Sequence, residues 1–310
     1  MAKIAFLFPG QGSQVVGMGQ ALYQASPKAQ EVFERAEEVT GMEIKSLCFE
    51  GPLDKLTQTA NLQPCLTAVC LALLEALKEA GISPQGTAGH SLGEYPALAC
   101  AGVLPADRAL ALTAMRGDYM ERDAKANPGA MAAVLGLGPD QVQEGLSGAE
   151  GLVQVANHNA RTQVVITGEK KAVAGASEFF KGQGAKVIPL KVSGAWHSRL
   201  MSRAANDFAV RLAQTTWRQA KVPIYLNTSA RPETNGQQIA EAMARQLISP
   251  VRWYEIMVNL TADGFDTFVE VGPKAVLAGL VKKFAAGRDD DVRVFGVDGP
   301  DKIEDLVRAL

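Results

Sequence analysis

Residues 3–8, Lys-Ile-Ala-Phe-Leu-Phe, form an almost unbroken apolar run stopped by Pro9 and Gly10, the pattern of a parallel strand buried on both faces. A Gly-rich loop follows, and then the period changes. Ser26 as N-cap, Pro27 at the first helical position and Gly41 just past the end bracket a helix whose apolar face includes Val32, Phe33 and Ala36. A second helix ends at Gly81. Its stretch from Cys65 to Ala80 is apolar on most sides through Leu74, which places it inside the larger domain. A brief strand then runs into Gly89-His90-Ser91-Leu92-Gly93, with a helix predicted from Leu92 to Ala101.

Between Asn127 and about Val192 short elements alternate differently: strand 129–136, helix 139–147, strand 152–157, strand 162–167, helix 170–182, strand 186–191. That βαββαβ order predicts a self-contained ferredoxin-like unit. The chain then reads as helix 197–214, strand 222–228, two helices between 236 and 262, strand 266–271, helix 275–284, strand 292–297 and a last helix from 301. Such alternation predicts a parallel sheet covered on both faces. The expected fold class is α/β, with a large hydrolase-like domain over residues 1–126 and 193–310 and a small ferredoxin-like α+β subdomain inserted over 127–192.

Composition narrows the function. A chain of 310 residues, 47% apolar and 21% charged, carries enough apolar material for roughly two domains, and disorder is excluded. With 31 Lys+Arg against 33 Asp+Glu the net charge is -2, and Asp289-Asp290-Asp291 is the one like-charge run, so neither nucleic acid nor a membrane surface is an expected partner. The N-terminus lacks a signal-peptide layout, and no apolar stretch is read as approaching the ~20 residues that span a bilayer; a cytoplasmic location is expected. Cys48, Cys65, Cys70 and Cys100 lack the spacing of metal sites and the density of a disulfide scaffold, so they are read as reduced core residues.

The strongest chemical signal is Gly89-His90-Ser91-Leu92-Gly93, a G-x-S-x-G pattern between a strand and a helix, the context a nucleophile elbow demands. In a chain with 30 glycines the pattern alone is weak; the context gives it weight. The following helix would aim its N–H groups at an oxyanion, and an N–H near Gln11, in Phe8-Pro9-Gly10-Gln11-Gly12-Ser13-Gln14, would suit the second half of the hole. That loop lacks the Lys-Ser/Thr ending of a phosphate-binding loop. A serine needs a base, and three histidines are available. His90 adjoins Ser91 and points away from it, His158 ends a strand of the insert, and His197 falls where the insert returns to the main domain; His197 is the candidate. Asp107, Asp118, Asp123, Asp140 and Asp207 sit in no recognisable motif, so a dyad oriented by a carbonyl or amide is plausible. Arg116 shares a helix face with Ala109, Leu112 and Met120, an apolar stripe that implies a carboxylate partner, structural or on a ligand.

Taken together, Phe8 through Gln14, Gly89 through Tyr95, Met115-Arg116-Gly117, Val155-Ala156-Asn157, His197-Ser198, Gln246 through Trp253 and Glu270-Val271-Gly272-Pro273 resemble the malonyl-CoA:acyl carrier protein transacylases and the acyltransferase domains of polyketide synthases. The resemblance spans the whole chain. It implies that Ser91 is acylated, His197 is the base, Gln11 and Leu92 give the oxyanion N–H groups, and Arg116 holds the free malonyl carboxylate. It also implies that the Gln246 carbonyl orients the histidine and that Asn159 and Gln163 line the substrate channel. The substrates implied are malonyl-CoA and acyl carrier protein, with no cofactor or metal beyond the coenzyme A thioester. The chain departs from the family in carrying Trp196 before the histidine, where Phe or Ser is frequent; a narrowed pocket floor that excludes a C2-methyl group is expected. The alternatives are a serine esterase or thioesterase using the same pair, a trans-acting acyltransferase of polyketide synthesis, and a catalytically idle carrier-binding subunit. Lys186, Lys191, Arg199 and Arg203 are candidates for a basic rim toward an acidic carrier, and with no apolar surface stripe left over a monomer is expected.

Overall fold

The computed structural model describes residues 2–286 and 292–310; the run Asp289–Asp291 lies outside the described residues. In chain order the elements are β1 (Ile4–Phe8), α1 (Gln20–Ala25), α2 (Pro27–Thr40), α3 (Ile44–Phe49), α4 (Leu53–Thr57), α5 (Thr59–Glu79), β2 (Gly86–Gly89), α6 (Glu94–Cys100) and α7 (Ala106–Ala126). They continue as β3 (Gly129–Leu135), α8 (Pro139–Leu146), β4 (Val153–Ala160), β5 (Gln163–Glu169), α9 (Lys170–Gly182) and β6 (Lys186–Pro189). The chain closes with α10 (Ser202–Ala213), β7 (Ile224–Tyr225), β8 (Pro232–Glu233), α11 (Gly236–Arg245), α12 (Trp253–Ala262), β9 (Thr267–Val271), α13 (Val276–Ala285), β10 (Arg293–Val297) and α14 (Pro300–Ala309).

The first sheet has the order β10-β9-β1-β2-β7-β8, parallel from β10 through β7, with β8 antiparallel at the edge. The unbroken apolar run of β1 is explained by two cores. Phe6 and Phe8 pack on one face with α2 and α5 residues such as Phe33 and Val69, whereas Ala5 and Leu7 pack on the other with Trp253, Ile256 and Val281. Each fully buried Phe or Leu contributes about 1.5–3 kcal/mol, which fixes β1 at the centre. The second sheet, β4-β5-β3-β6, is antiparallel throughout. One of its faces carries Val134, Val164 and Ile166 against Val142 of α8 and Phe180 of α9. Met131, Ala133, Ala156 and Val165, at the intervening positions, join the main core instead, so the small sheet is packed into the main body through its other face.

Three sequence expectations need correction. The strand predicted over 222–228 pairs only at Ile224–Tyr225, because the backbone turns at once, with Ala230 N bonded to Leu226 O at 2.8 Å. The helix predicted from 197 starts after a 3₁₀ turn at Arg199–Met201, since His197 has φ 59°. Helix α5 begins at Thr59 and runs through Pro64, whose ring removes the N–H that would have donated to Ala60 O. With 21 residues and a mean hydropathy of 1.5, α5 is also long and apolar enough to cross a bilayer, and 83% of that window is buried within the fold.

Candidate active site

Pairing of Phe8 with Gly89 brings the loops after β1 and β2 out side by side at the carboxyl edge of the parallel sheet, where ligand sites in such sheets lie. The turn there is extremely close. A Cβ on Gly89 would stand 2.0 Å from the Gly93 carbonyl, and one on Gly93 would stand 2.0 Å from Phe8 O. Ser91 itself adopts φ 52°, a left-handed conformation that costs a non-glycine residue about 1–2 kcal/mol. Asn227, in the turn after β7, offsets that strain from outside the elbow: Ser91 N donates to Asn227 Oδ1 at 2.7 Å, and Asn227 Nδ2 donates to Gly89 O at 2.6 Å.

The Ser91 hydroxyl lies 2.7 Å from His197 Nε2. His197 Nδ1 faces two main-chain carbonyls, Gln246 O at 3.1 Å and Ser249 O at 2.9 Å. Carbonyls only accept, so Nδ1 carries the proton and Nε2 presents its lone pair to the serine. The missing acid is thereby accounted for. Burial and the neighbouring Arg116 charge hold His197 down to about 3. The ring is neutral and ready to accept a proton across the ordinary pH range. The other two histidines are committed elsewhere. His90 Nε2 donates to Asn159 Oδ1 at 2.8 Å and its ring packs against Trp253, while His158 bonds Glu255 at 3.0 Å and stacks on Tyr254.

Arg116 is 1% exposed, with Ala109, Leu112 and Met120 equally buried along its helix face. Its Nη1 donates to Gln63 Oε1 at 2.8 Å, and its Nη2 donates to Gln246 Oε1 at 2.9 Å and to Ser91 Oγ at 3.1 Å. Among the described residues no carboxylate forms an ion pair with it. Burial lowers its pKa, with the nearby Glu94 charge opposing. A buried guanidinium clamped by neutral amides beside a nucleophile is a binding position for an anion.

Ser91, His197, Arg116 and Gln63 line one cavity together with Gln11, Leu92, Trp196, Met120 and, from the small sheet, Met131 and Asn157. Gln11 and Leu92 thus share a cavity with Ser91. Asn159 stands behind His90 rather than on the cavity wall, and Gln163 accepts a bond from Lys283 Nζ at 3.1 Å, away from the cavity; neither is brought to it. Sequence reasoning missed Gln63, Asn227 and the side-chain role of Gln246. It also missed Glu94, a 1% exposed carboxylate that burial pushes up to about 7. The signal available for Gln63 was an amide facing the Arg116 stripe from an otherwise apolar helix.

A serine on a strained strand-to-helix turn with a neutral imidazole at its oxygen is the arrangement of a protein that works through a serine ester, and the buried guanidinium beside it is placed to meet an anionic group. The chain belongs to the acyl transferase domain family, whose model matches residues 5–299. It is 44% identical over 314 residues to the malonyl CoA-acyl carrier protein transacylase of Bacillus subtilis (strain 168), covering 100% of this chain and 98% of that one. Its structure superposes on the malonyl CoA-acyl carrier protein transacylase of Coxiella burnetii with a TM-score of 0.95 at 34% identity, covering 100% of this chain and 98% of that one. A malonyl-transacylase in complex with its type II PKS acyl-carrier protein superposes with a TM-score of 0.94 at 34% identity, over 100% of both chains.

Proposed function

We propose that the protein transfers a malonyl group from malonyl-CoA to the thiol of an acyl carrier protein through a malonyl ester on Ser91. The observation that carries this reading is Arg116, buried, without a carboxylate partner among the described residues, and 3.1 Å from the nucleophilic oxygen. In the first half-reaction Ser91 Oγ attacks the thioester carbonyl while His197 Nε2 takes its proton; the C–S bond then breaks and Nε2 returns the proton to the coenzyme A sulfur. In the second, the carrier thiol gives its proton to Nε2, its sulfur attacks the ester, and the C–O bond breaks as Nε2 passes that proton to Oγ, restoring the Ser91 hydroxyl and the neutral ring. The oxyanion of each step is assigned to the Gln11 and Leu92 amides, because the Ser91 amide is already engaged by Asn227.

Arg116 would bind the free carboxylate. An acyl group without one leaves the buried guanidinium unpaired, a discrimination that can reach ~10⁴-fold. Trp196, 5% exposed on the cavity wall, supports exclusion of a C2-methyl group. Lys186, Lys191, Arg199 and Arg203, all exposed, are the proposed basic rim for the carrier. Intact-mass measurement after incubation with malonyl-CoA tests the reading. A malonyl increment lost in Ser91→Ala and passed to added carrier protein is expected; release of free malonate without transfer would mean a hydrolase.

A further inference from the structure

Glu94 opens α6 directly after the elbow motif, touches none of the reacting atoms, and yet is 1% exposed. Each of its oxygens receives one donor: Oε1 from Asn227 N at 2.8 Å, and Oε2 from Gln246 Nε2 at 2.5 Å. Gln246 Nε2 also donates to Ser91 O at 2.8 Å. A carboxylate and a carbonyl both accept only, so the NH₂ end of the Gln246 amide must lie on that side. Its oxygen is therefore turned to Arg116, which only donates. Carboxylate, amide and guanidinium form a chain with a single satisfied polarity, and Gln246 and Arg116 are each 1% exposed, so a reversed amide would set donor against donor in a buried place.

We propose that Glu94 is a positioning residue: by accepting from the Gln246 side chain it fixes which end of that amide meets Arg116, and so holds the guanidinium in reach of an acyl carboxylate at Ser91. The inference rests on the malonyl reading above and extends it to a residue that touches no substrate. A glutamine at position 94 has the same shape and cannot replace the carboxylate. Its NH₂ would face either the Asn227 N–H or the Gln246 NH₂. In the second case the Gln246 amide turns over, setting NH₂ against Arg116 and oxygen against Ser91 O.

The test compares two reactions of the same serine: malonylation by malonyl-CoA, which needs Arg116, and inactivation by phenylmethanesulfonyl fluoride, which carries no carboxylate. Glu94→Gln is expected to slow malonylation about tenfold or more beyond any slowing of sulfonylation. Gln246→Met, which keeps the main-chain carbonyl on His197, should show the same bias. In an Arg116→Ala background Glu94→Gln should add less than about threefold, because the two act through one path. Equal losses in both reactions, or a full further loss on top of Arg116→Ala, would make Glu94 a scaffold residue and overturn the inference alone. If Glu94→Gln does not fold, the Gln246→Met ratio decides, and an unbiased ratio there overturns it. A wild-type protein that is sulfonylated but takes no malonyl group would overturn the functional reading and this inference with it.

Discussion

The two charged or proton-carrying groups beside Ser91 are secured in opposite ways. His197 is held by main-chain carbonyls, Gln246 O and Ser249 O, whereas Arg116 is held by side-chain amides, Gln63 and Gln246. Backbone supports survive substitution of the residues that provide them; side-chain supports do not. The half proposed to transfer the proton is thus insulated from sequence change, and the half proposed to select the acyl group is open to it. Acyl preference can drift on this scaffold while the serine chemistry persists.

The largest effect should come from Ser91→Ala, which removes the ester and lowers transfer ~10⁴-fold or more, read as loss of the malonyl mass increment. Undiminished transfer would break the scheme at its root. Next, Arg116→Ala should lower kcat/KM for malonyl-CoA by ~10²–10⁴, with a far smaller change in sulfonyl fluoride inactivation. Parallel losses would mean that the two halves of the site are not separable. Gln63→Leu removes one amide of the clamp and should cost ~10–100-fold in kcat/KM for malonyl-CoA, the worth of one hydrogen bond to a charged group. Trp196→Leu should improve methylmalonyl-CoA relative to malonyl-CoA by about tenfold, as expected of space for one methyl group; an unchanged ratio would take Trp196 out of the selecting half.

The subtlest prediction concerns pH. His197 is held near 3 in the fold against an ordinary value near 6.5, so the folded chain binds fewer protons than the unfolded one between those limits. Its contribution to stability is present above the ordinary value and is lost as pH falls through that window. Glu94 and Glu270, both pushed up to about 7 by burial, act in the opposite sense: they favour the fold when protonated, and that contribution declines as pH rises from the ordinary carboxylate range toward 7. For reactivity, sulfonylation of the free enzyme should show no acid limb near 6.5. A midpoint there would place His197 in water and undo the buried, carbonyl-held picture.

Much of this was legible in the sequence because it was local. The elbow needs glycines two residues either side of Ser91, the Arg116 stripe repeats at helical spacing, and the βαββαβ order of the insert appears as alternating periods. What escaped was long-range. Asn227 meets Ser91 across 136 positions and Gln246 meets Glu94 across 152, and a buried amide is spelled with the same letter as a solvated one. The strand expected over 222–228 was cut short for the same reason: past Tyr225 the backbone turns, and Asn227 in that turn bonds the end of another strand. Gln163 was misplaced because the register of β4 and β5 turns that end of the pair toward α13.

The doubly held Nδ1 of His197 has one more consequence. With both carbonyls fixed by the main chain, the ring has no second seat, and a proton taken up at Nε2 can leave only by Nε2. In the proposed scheme every thiol that arrives or departs therefore meets the same nitrogen of the same ring, so the pocket has no built-in arrow. Which way acyl groups flow is decided outside the protein, by the relative abundance of the two thioesters.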